Sequence, residues 1–500
     1  MSARLEIYQI NVGQGDSTLI VNRRLNRVYE AIKNAKGVGV SDGLEPIDYV
    51  PYAVANDIDL DGTIERALLV DGGDDVYGDD VLNYIKKLGA LRTDPKPYCP
   101  ELYLLVSHYH DDHMAGLRYV FKERVDTPPP KKKKKGKKAS PVSVKERYRP
   151  ARVYQTSKNS KADPKTFRFA AFTKDVDEAF VASPNKTERI YIDPGGIQAG
   201  TQNITTIDLG TGVDNIPIQL FVLAAAQGVY KPPDTYTPIP SVSKNVFDQN
   251  DRSVVLILQY GSFRYFLGGD IAGDGGPDGG NKDGNAANTG AKRFFSVHAD
   301  VESTLGPALE AYFPATKPKG WVANKPKFTS AGYCTVLKAD HHGSSSSVDV
   351  HLLSTVCPCI AVIGSGIKAR FHNHPTQQVI DRMSTATTPR WGRRKGSDVD
   401  NTIEQIYATE VANKVKGKRF DVKLRGARIF GDIVVRPVDE TIHDIQAATA
   451  KGKELKVQVY GTGEQSVFAD PDTTLLSLTE AKKAAGSTYP LGPYYHMDAH

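Results

Sequence analysis

Residues 104–116 read LLVSHYHDDHMAG. An apolar run, Leu104 to Val106, leads straight into His108-x-His110-x-Asp112-His113, and small residues then open a helical pattern. Histidines and carboxylates crowded at a strand end are hard to explain as packing, because buried charge is costly without a partner. The donors mix nitrogen and oxygen, which suits Zn²⁺ or a harder ion such as Mn²⁺. Spacing this tight lets one loop grip two ions. The competing reading, a solvated polar turn, gives no reason for three imidazoles within residues 108–113.

Outward from this loop, short β-branched or aromatic runs bounded by Gly, Asp, Asn or Ser predict strands at 5–10, 16–21, 67–70, 101–107, 253–260, 263–267, 334–338 and 359–363. Amphipathic patterns predict helices at 79–88, 114–121, 347–354 and 375–383. Strands alternating with helices, with polar loops straight after strand ends, point to an α/β sandwich. Arg23–Thr63 reads as an extended hairpin or loop, 126–150 as a Pro/Lys-rich flexible insertion, and 272–290 as a Gly-rich one. The expected organisation is a hydrolase domain over 1–400 carrying these insertions. Residues 401–500 would be a β-rich completion of it or a small appendage.

Further segments join the first. Asn11-Val-Gly-Gln-Gly-Asp-Ser17, Leu68-Leu-Val-Asp-Gly-Gly73, Asn250-x-x-Ser253, Phe266-Leu-Gly-Gly-Asp270, Lys338-Ala-Asp-His-His-Gly-Ser344 and Ser365…His374-Pro375 follow in that order. Together with His108-x-His110-x-Asp112-His113 they resemble the metallo-β-lactamase superfamily of binuclear metal hydrolases, and within it the soluble hydrolase domain of ComEC-type DNA-uptake proteins. The resemblance spans roughly residues 5–385. It implies a metallo-β-lactamase-like αββα sandwich with large insertions, and two divalent metal ions, Zn²⁺ by first expectation and Mn²⁺ by second.

Residue by residue, the resemblance implies that His108 and His110 hold the first ion, Asp112 and His113 the second, and that Asp270 bridges both. One of His341 and His342 would be the remaining ligand, because adjacent residues at a strand end point in opposite directions; His342 is favoured, leaving His341 as substrate contact or proton donor. Asp71 would orient the metal loop through hydrogen bonds. His374, at a loop-to-helix junction, would donate a proton or bind an oxyanion, and Asp112 stands with His341 and His374 among the catalytic candidates. Ser344 and Ser345 either cradle an anionic group beside the ions or cap the following helix. The chain departs from the family pattern in two places: it has no His between 114 and 297, and Asn11 stands where many relatives carry Asp.

Composition narrows the function classes. The chain has 64 basic and 58 acidic residues, a formal charge of +6. Seven lysines lie between Lys131 and Lys138, and subtracting them leaves −1, so no basic coat covers the body. The run itself can hold a nucleic-acid backbone by counterion release, although no aromatic platform accompanies it. Four cysteines in 500 residues exclude a disulfide framework, and Cys357-Pro-Cys359 lacks the spacing and second pair of a zinc knuckle. No run approaches the roughly 18–20 apolar residues of a membrane span. The opening residues lack the features of a signal peptide, so a cytoplasmic location is expected. Asp57-x-Asp59-x-Asp61-Gly62 mimics a calcium loop, but Leu68 stands where a bidentate Glu belongs, and a turn explains it better. The 272–290 segment, starting next to Asp270, could serve as a lid. The expected activity is metal-dependent hydrolysis of phosphoester bonds, with nucleic acid as substrate. The alternatives are a small-molecule phosphodiesterase and a component active only within a complex.

Overall fold

The computed structural model describes residues 3–37, 44, 49–91, 98–122, 148–156, 163–181, 186–192, 204–226, 228–231, 235–239, 249–273, 298–313, 334–349, 352–353, 356, 358, 360–366, 374–383, 403, 405–410, 414–415, 418–419, 428–429, 431–438, 454–461 and 495–498. The lysine run, Cys357, Cys359 and all but the first residues of the Gly-rich insertion lie outside them.

Two large sheets face each other. The first runs from β1 (Ala3–Gln9) through β2 (Thr18–Arg24) and β3 (Ile64–Val70) to β4 (Tyr98–Leu105), β5 (Arg149–Thr156) and β6 (Glu188–Ile192). The second contains β7 (Thr206–Thr211), β8 (Pro217–Ala225), β9 (Gly228–Lys231), β10 (Thr235–Pro238), β11 (Val255–Tyr260), β12 (Phe263–Leu267), β13 (Val336–Lys338) and β14 (Ile360–Ile363). Chain beyond residue 400 joins both. β15 (Gln405–Ala408) and β18 (Arg428–Ile429) extend the second sheet, and β16 (Lys414–Val415) pairs only with β17 (Lys418–Arg419). β19 (Ile433–Pro437), β20 (Glu454–Gly461) and β21 (Tyr495–Asp498) extend the first beyond β1.

Side chains alternate across a strand, so each sheet has two apolar faces to bury. Leu5, Ile7, Ile20, Leu68 and Leu105 meet Leu220, Leu256, Leu258, Tyr265 and Val336 between the sheets. The opposite face of the first sheet, including Leu19, Leu69 and Leu104, is covered by α3 (Gly78–Lys87), α4 (Asp111–Met114), α5 (Arg118–Phe121) and α6 (Phe167–Val181). Ile257, Phe266, Leu337 and Ile363 of the second sheet pack outward on helices Gly306–Tyr312 and Gln377–Met383. The layering is αββα, the fold class expected from the sequence. No helix among the described residues is long and apolar enough to cross a membrane.

Arg23–Thr63 departs from the expected hairpin or loop. It contains α1 (Leu25–Lys36) and α2 (Tyr49–Ala55). Val28 and Ile32, one turn apart, pack on Tyr49, Val50, Ala53, Ile58 and Leu60 as a small separate core. The stripe is narrow and interrupted by charge, which is why the periodicity was hard to see. The segments giving β5, α6, β6 and β7 to β10 also went unassigned in the sequence reading.

Charge is buried where β1, β2 and β19 meet. Glu6 pairs with Arg23 at 2.8 Å and Arg436 at 3.0 Å, and accepts a 2.8 Å hydrogen bond from Tyr8. Burial opposes the Glu6 charge, but Arg436, Arg23 and Arg4 overcome it and hold the carboxyl at about 2, below its usual 4.5. A depressed folded-state pKa contributes stability that is present above the unfolded value and lost as pH falls towards the folded one. Glu6→Gln is therefore expected to flatten the loss of stability between about pH 4.5 and 2. It should also lower stability by about 3–5 kcal/mol at pH 7, because buried guanidinium groups lose their counter-charge. Denaturant unfolding across pH checks both.

Candidate metal centre

The loops that follow β1, β3, β4, β12 and β13 converge at one end of the two sheets, and backbone hydrogen bonds stitch them together. Gly72 N–H donates to His113 O at 2.7 Å, Gly73 N–H to Asp16 O at 2.8 Å and Asp16 N–H to Asp112 O at 3.2 Å. Gly116 N–H donates to Gly73 O at 2.9 Å, an approach only glycine allows, since a Cβ there would lie 1.8 Å from Gly72 O. Between the sheets, Val254 N–H donates to Ser107 O, and within the second sheet's loops His341 N–H donates to Gly269 O. The Ser253 hydroxyl accepts the Asp270 N–H at 3.2 Å, which gives Asn250-x-x-Ser253 a positioning role.

Two groups of donors result. Asp16, His113, Asp270 and His342 present ligand atoms all within 4.8 Å of one another, and His108, His110 and Asp270 form the other group. Asp270 belongs to both. Its Oδ2 lies 3.2 Å from His113 Nε2, 3.5 Å from His342 Nε2, 3.8 Å from His341 Nε2 and 3.9 Å from His108 Nε2. His108 Nε2 and His110 Nδ1 lie 3.1 Å apart.

Partners on the far side of each ring settle which nitrogen faces inward. His113 Nδ1 donates to Asp71 Oδ2 at 2.9 Å, and Asp71 is itself fixed by the Ser107 N–H at 2.8 Å and hydroxyl at 2.6 Å. His342 Nδ1 donates to Gly364 O at 3.1 Å. Both Nε2 lone pairs therefore point at carboxylate. Such contacts need a proton or a cation between them. The buried atoms His113 Nε2, His342 Nε2, Asp16 Oδ1 and Asp270 Oδ1 have no hydrogen-bond partner among the described residues. The residues present fit a divalent cation.

The electrostatics agree. Burial opposes charge on His113, yet Asp270 and Asp71 hold its pKa well above the usual imidazole value; Asp270 and Asp16 do the same for His342. Burial also opposes the Asp270 charge, and His113, His342 and His341 keep the carboxyl well below its usual range. His108 is pushed well down by burial and by His113. Without an ion, protons on His113 and His342 would have to balance the carboxylates.

No family model matches the chain, and no curated protein matches it. Among solved structures, the metallo-beta-lactamase fold protein YhfI from Bacillus subtilis aligns over 84% of this chain and 98% of its own, at 10% identity and a TM-score of 0.30. A likeness that loose carries no argument about function. The layering and the donor groups stand on this chain's own residues.

The remaining expected residues fall as follows. His341 and His342 both adopt left-handed backbone, with φ of 47° and 53°. The adjacent rings therefore both face Asp270 instead of diverging. Of the two, His342 is the buried one and belongs to the four-membered donor group. The His341 side chain is 17% exposed, and burial pushes its pKa down to about 3. Asp112 belongs to neither group; its Oδ2 lies 3.7 Å from His342 Nε2 and its side chain is 34% exposed. The His374 ring lies near both histidines, tilted against His341 with centroids 5.4 Å apart and stacked towards His342 at 6.3 Å. Ser344 and Ser345 are buried; Ser344 pairs with the Ser346 hydroxyl, and Arg382 holds the turn through the carbonyls of Ser345, Ser347 and Val348. Asn11, a member of neither donor group, donates its side-chain amide to Glu410 and its backbone N–H to the Asp432 carboxylate.

Asp16 was not assigned in the sequence reading. The signal was a carboxylate within the glycine-rich 11–17 stretch, but its role depends on a distant partner, the buried ammonium of Lys338. His298, 5.6 Å from His341 between ring centroids and 3.8 Å from Asp251, also escaped it.

Asp270→Ala is expected to abolish stoichiometric Zn²⁺ or Mn²⁺ binding while leaving the far-ultraviolet spectrum unchanged, and Asp71→Ala to weaken binding by roughly 10–100-fold. Zn²⁺ uptake should release protons and weaken as pH falls, because the ion displaces the protons on His113 and His342. Calorimetry in buffers of different ionisation heat measures that release; uptake without protons would contradict it.

Proposed function

We propose that this chain is a metal-dependent hydrolase of phosphoester bonds, a nuclease or phosphodiesterase working with two divalent ions, Zn²⁺ before Mn²⁺. The observation carrying the reading is the meeting of two donor groups on the single carboxylate of Asp270. Bound there, such ions lower the pKa of water and neutralise charge developing on a phosphoryl oxygen.

The chain's own residues do the rest. His108, His110 and Asp270 would hold one ion; Asp16, His113, Asp270 and His342 would hold the other. Asp71 and the Gly364 carbonyl accept the outward Nδ1 protons, which fixes the rings and leaves Nε2 as the nitrogen that would meet an ion. His341 is neutral at pH 7, so it serves as a hydrogen-bonding imidazole against substrate rather than as a stored acid. His374 stands beside it to contact a substrate oxygen, and Asp112 lies at the exposed side of the group. Nucleic acid is the proposed substrate, by the lysine run and by the motif order resembling the ComEC-type domain; fold alone does not fix substrate. The buried, unbridged thiols of Cys99 and Cys334 agree with action in a reducing compartment such as the cytoplasm.

The test is a substrate panel on the purified, metal-loaded chain. Single- and double-stranded DNA and RNA should be degraded with Mn²⁺ or Zn²⁺, and EDTA should stop the reaction. Intact polynucleotides with cleavage of bis(p-nitrophenyl) phosphate or a cyclic nucleotide would move the assignment to a small-molecule phosphodiesterase. Bound metal with no cleavage of any phosphoester, and activity only with a co-purifying chain, would replace it by a partner-dependent component.

A further inference from the structure

An imidazole that belongs to neither donor group stands at their edge. His298 crosses His341 at right angles, with ring centroids 5.6 Å apart. His341 turns its Nε2 inward, 3.8 Å from Asp270 Oδ2, so His298 lies one ring further out.

Two anchors fix His298 there. Asp251, in the turn Asn250–Arg252, is buried; its Oδ1 accepts the Ala299 N–H at 2.9 Å and lies 3.8 Å from the buried Nδ1 of His298. Further on, Val301 and Glu302 both donate their N–H to Ala272 O, at 2.8 and 3.1 Å, and Ala299 and Val301 are packed into the apolar layer outside the second sheet. The same turn ends at Ser253, whose hydroxyl accepts the Asp270 N–H. One short segment therefore sets both the shared carboxylate of the metal centre and the carboxylate behind His298. With Nδ1 facing Asp251, Nε2 is directed away from it, and the side chain keeps 22% exposure, which gives the ring access to solvent protons.

A carboxylate beside one imidazole nitrogen stabilises the imidazolium and lets the other nitrogen deliver a proton. Phosphodiester hydrolysis uses such a donor, because an alkoxide leaves poorly unless it is protonated as it departs. We propose that His298, backed by Asp251, is the acid that protonates the departing oxygen. A water oxygen forms the new bond to phosphorus, the bond to the departing oxygen breaks with its electron pair, and that oxygen takes the Nε2 proton. The ring is left neutral with its Nδ1 proton facing Asp251. The attacking water gives up one proton to solvent, and solvent returns one to the ring. Asp251 acts through His298 and is a positioning residue. The inference rests on the phosphoester-hydrolase reading above and deepens it.

Methyl aryl phosphodiesters whose phenols rise in pKa, cleaved by the Zn²⁺-loaded full-length chain, test it without assuming a nucleic-acid substrate. In the wild type, kcat should depend weakly on the leaving group. In His298→Ala the dependence should steepen, with the smallest loss for p-nitrophenolate and a loss of about 10²–10⁴-fold for the poorest leaving group. Asp251→Asn keeps an oxygen for the Ala299 N–H and should show the same trend at smaller size. Both variants should keep the wild-type metal content by elemental analysis, since neither residue belongs to a donor group. A purely structural role would lower every ester alike. Equal loss across the series, no loss, or loss of bound metal would overturn the acid role and leave the hydrolase reading standing. A wild type that cleaves neither these esters nor any polynucleotide would overturn both.

Discussion

One buried carboxylate oxygen, Asp270 Oδ2, has four imidazole nitrogens within 3.9 Å. A charge removed from water to that degree must be balanced, and the surrounding loops are arranged so that it is. His113 and His342 answer it directly, Asp71 orients one of them from behind, and Lys338 answers the neighbouring carboxylate of Asp16. The inward lone pairs form two groups that could each hold a cation.

The sandwich makes this meeting possible. The first sheet carries Asp16, Asp71 and residues 108–113 on the loops after β1, β3 and β4; the second carries Asp270, His341 and His342 after β12 and β13. The donors face each other only because the sheets are pressed together by the apolar layer of Leu5, Leu68, Leu256 and Tyr265 between them. Local strain is accepted at the seam: His341 and His342 hold left-handed backbone that costs on the order of 1–3 kcal/mol per residue. Gly343, also at positive φ, completes the turn where a Cβ would lie 2.8 Å from Pro375. In return both rings face the same carboxylate.

What the sequence showed depended on how local the determinant was. The run of His108, His110, Asp112 and His113 is contiguous, so its chemistry could be read directly. Strands such as β11 and β12 were visible because burial on both faces demands mostly apolar runs, broken only by Gln259 and Arg264. Asp16 was not visible: its meaning comes from Lys338, more than 300 residues away along the chain. Nor was the shared orientation of His341 and His342, since the expectation that neighbours diverge assumes ordinary extended backbone. Helices α1 and α2 were hidden because their core is a satellite of a few residues, too small to impose a clear period. The substrate is the least legible of all, as no short segment encodes the shape of a cleft assembled from distant loops.

Anomalous diffraction from crystals of the Zn²⁺-loaded protein tests the central claim most directly. The account predicts two peaks on either side of Asp270, one within coordinating distance of His108 and His110, the other of Asp16, His113 and His342. Peaks elsewhere, or a loaded protein whose Asp270 touches no ion, would contradict it.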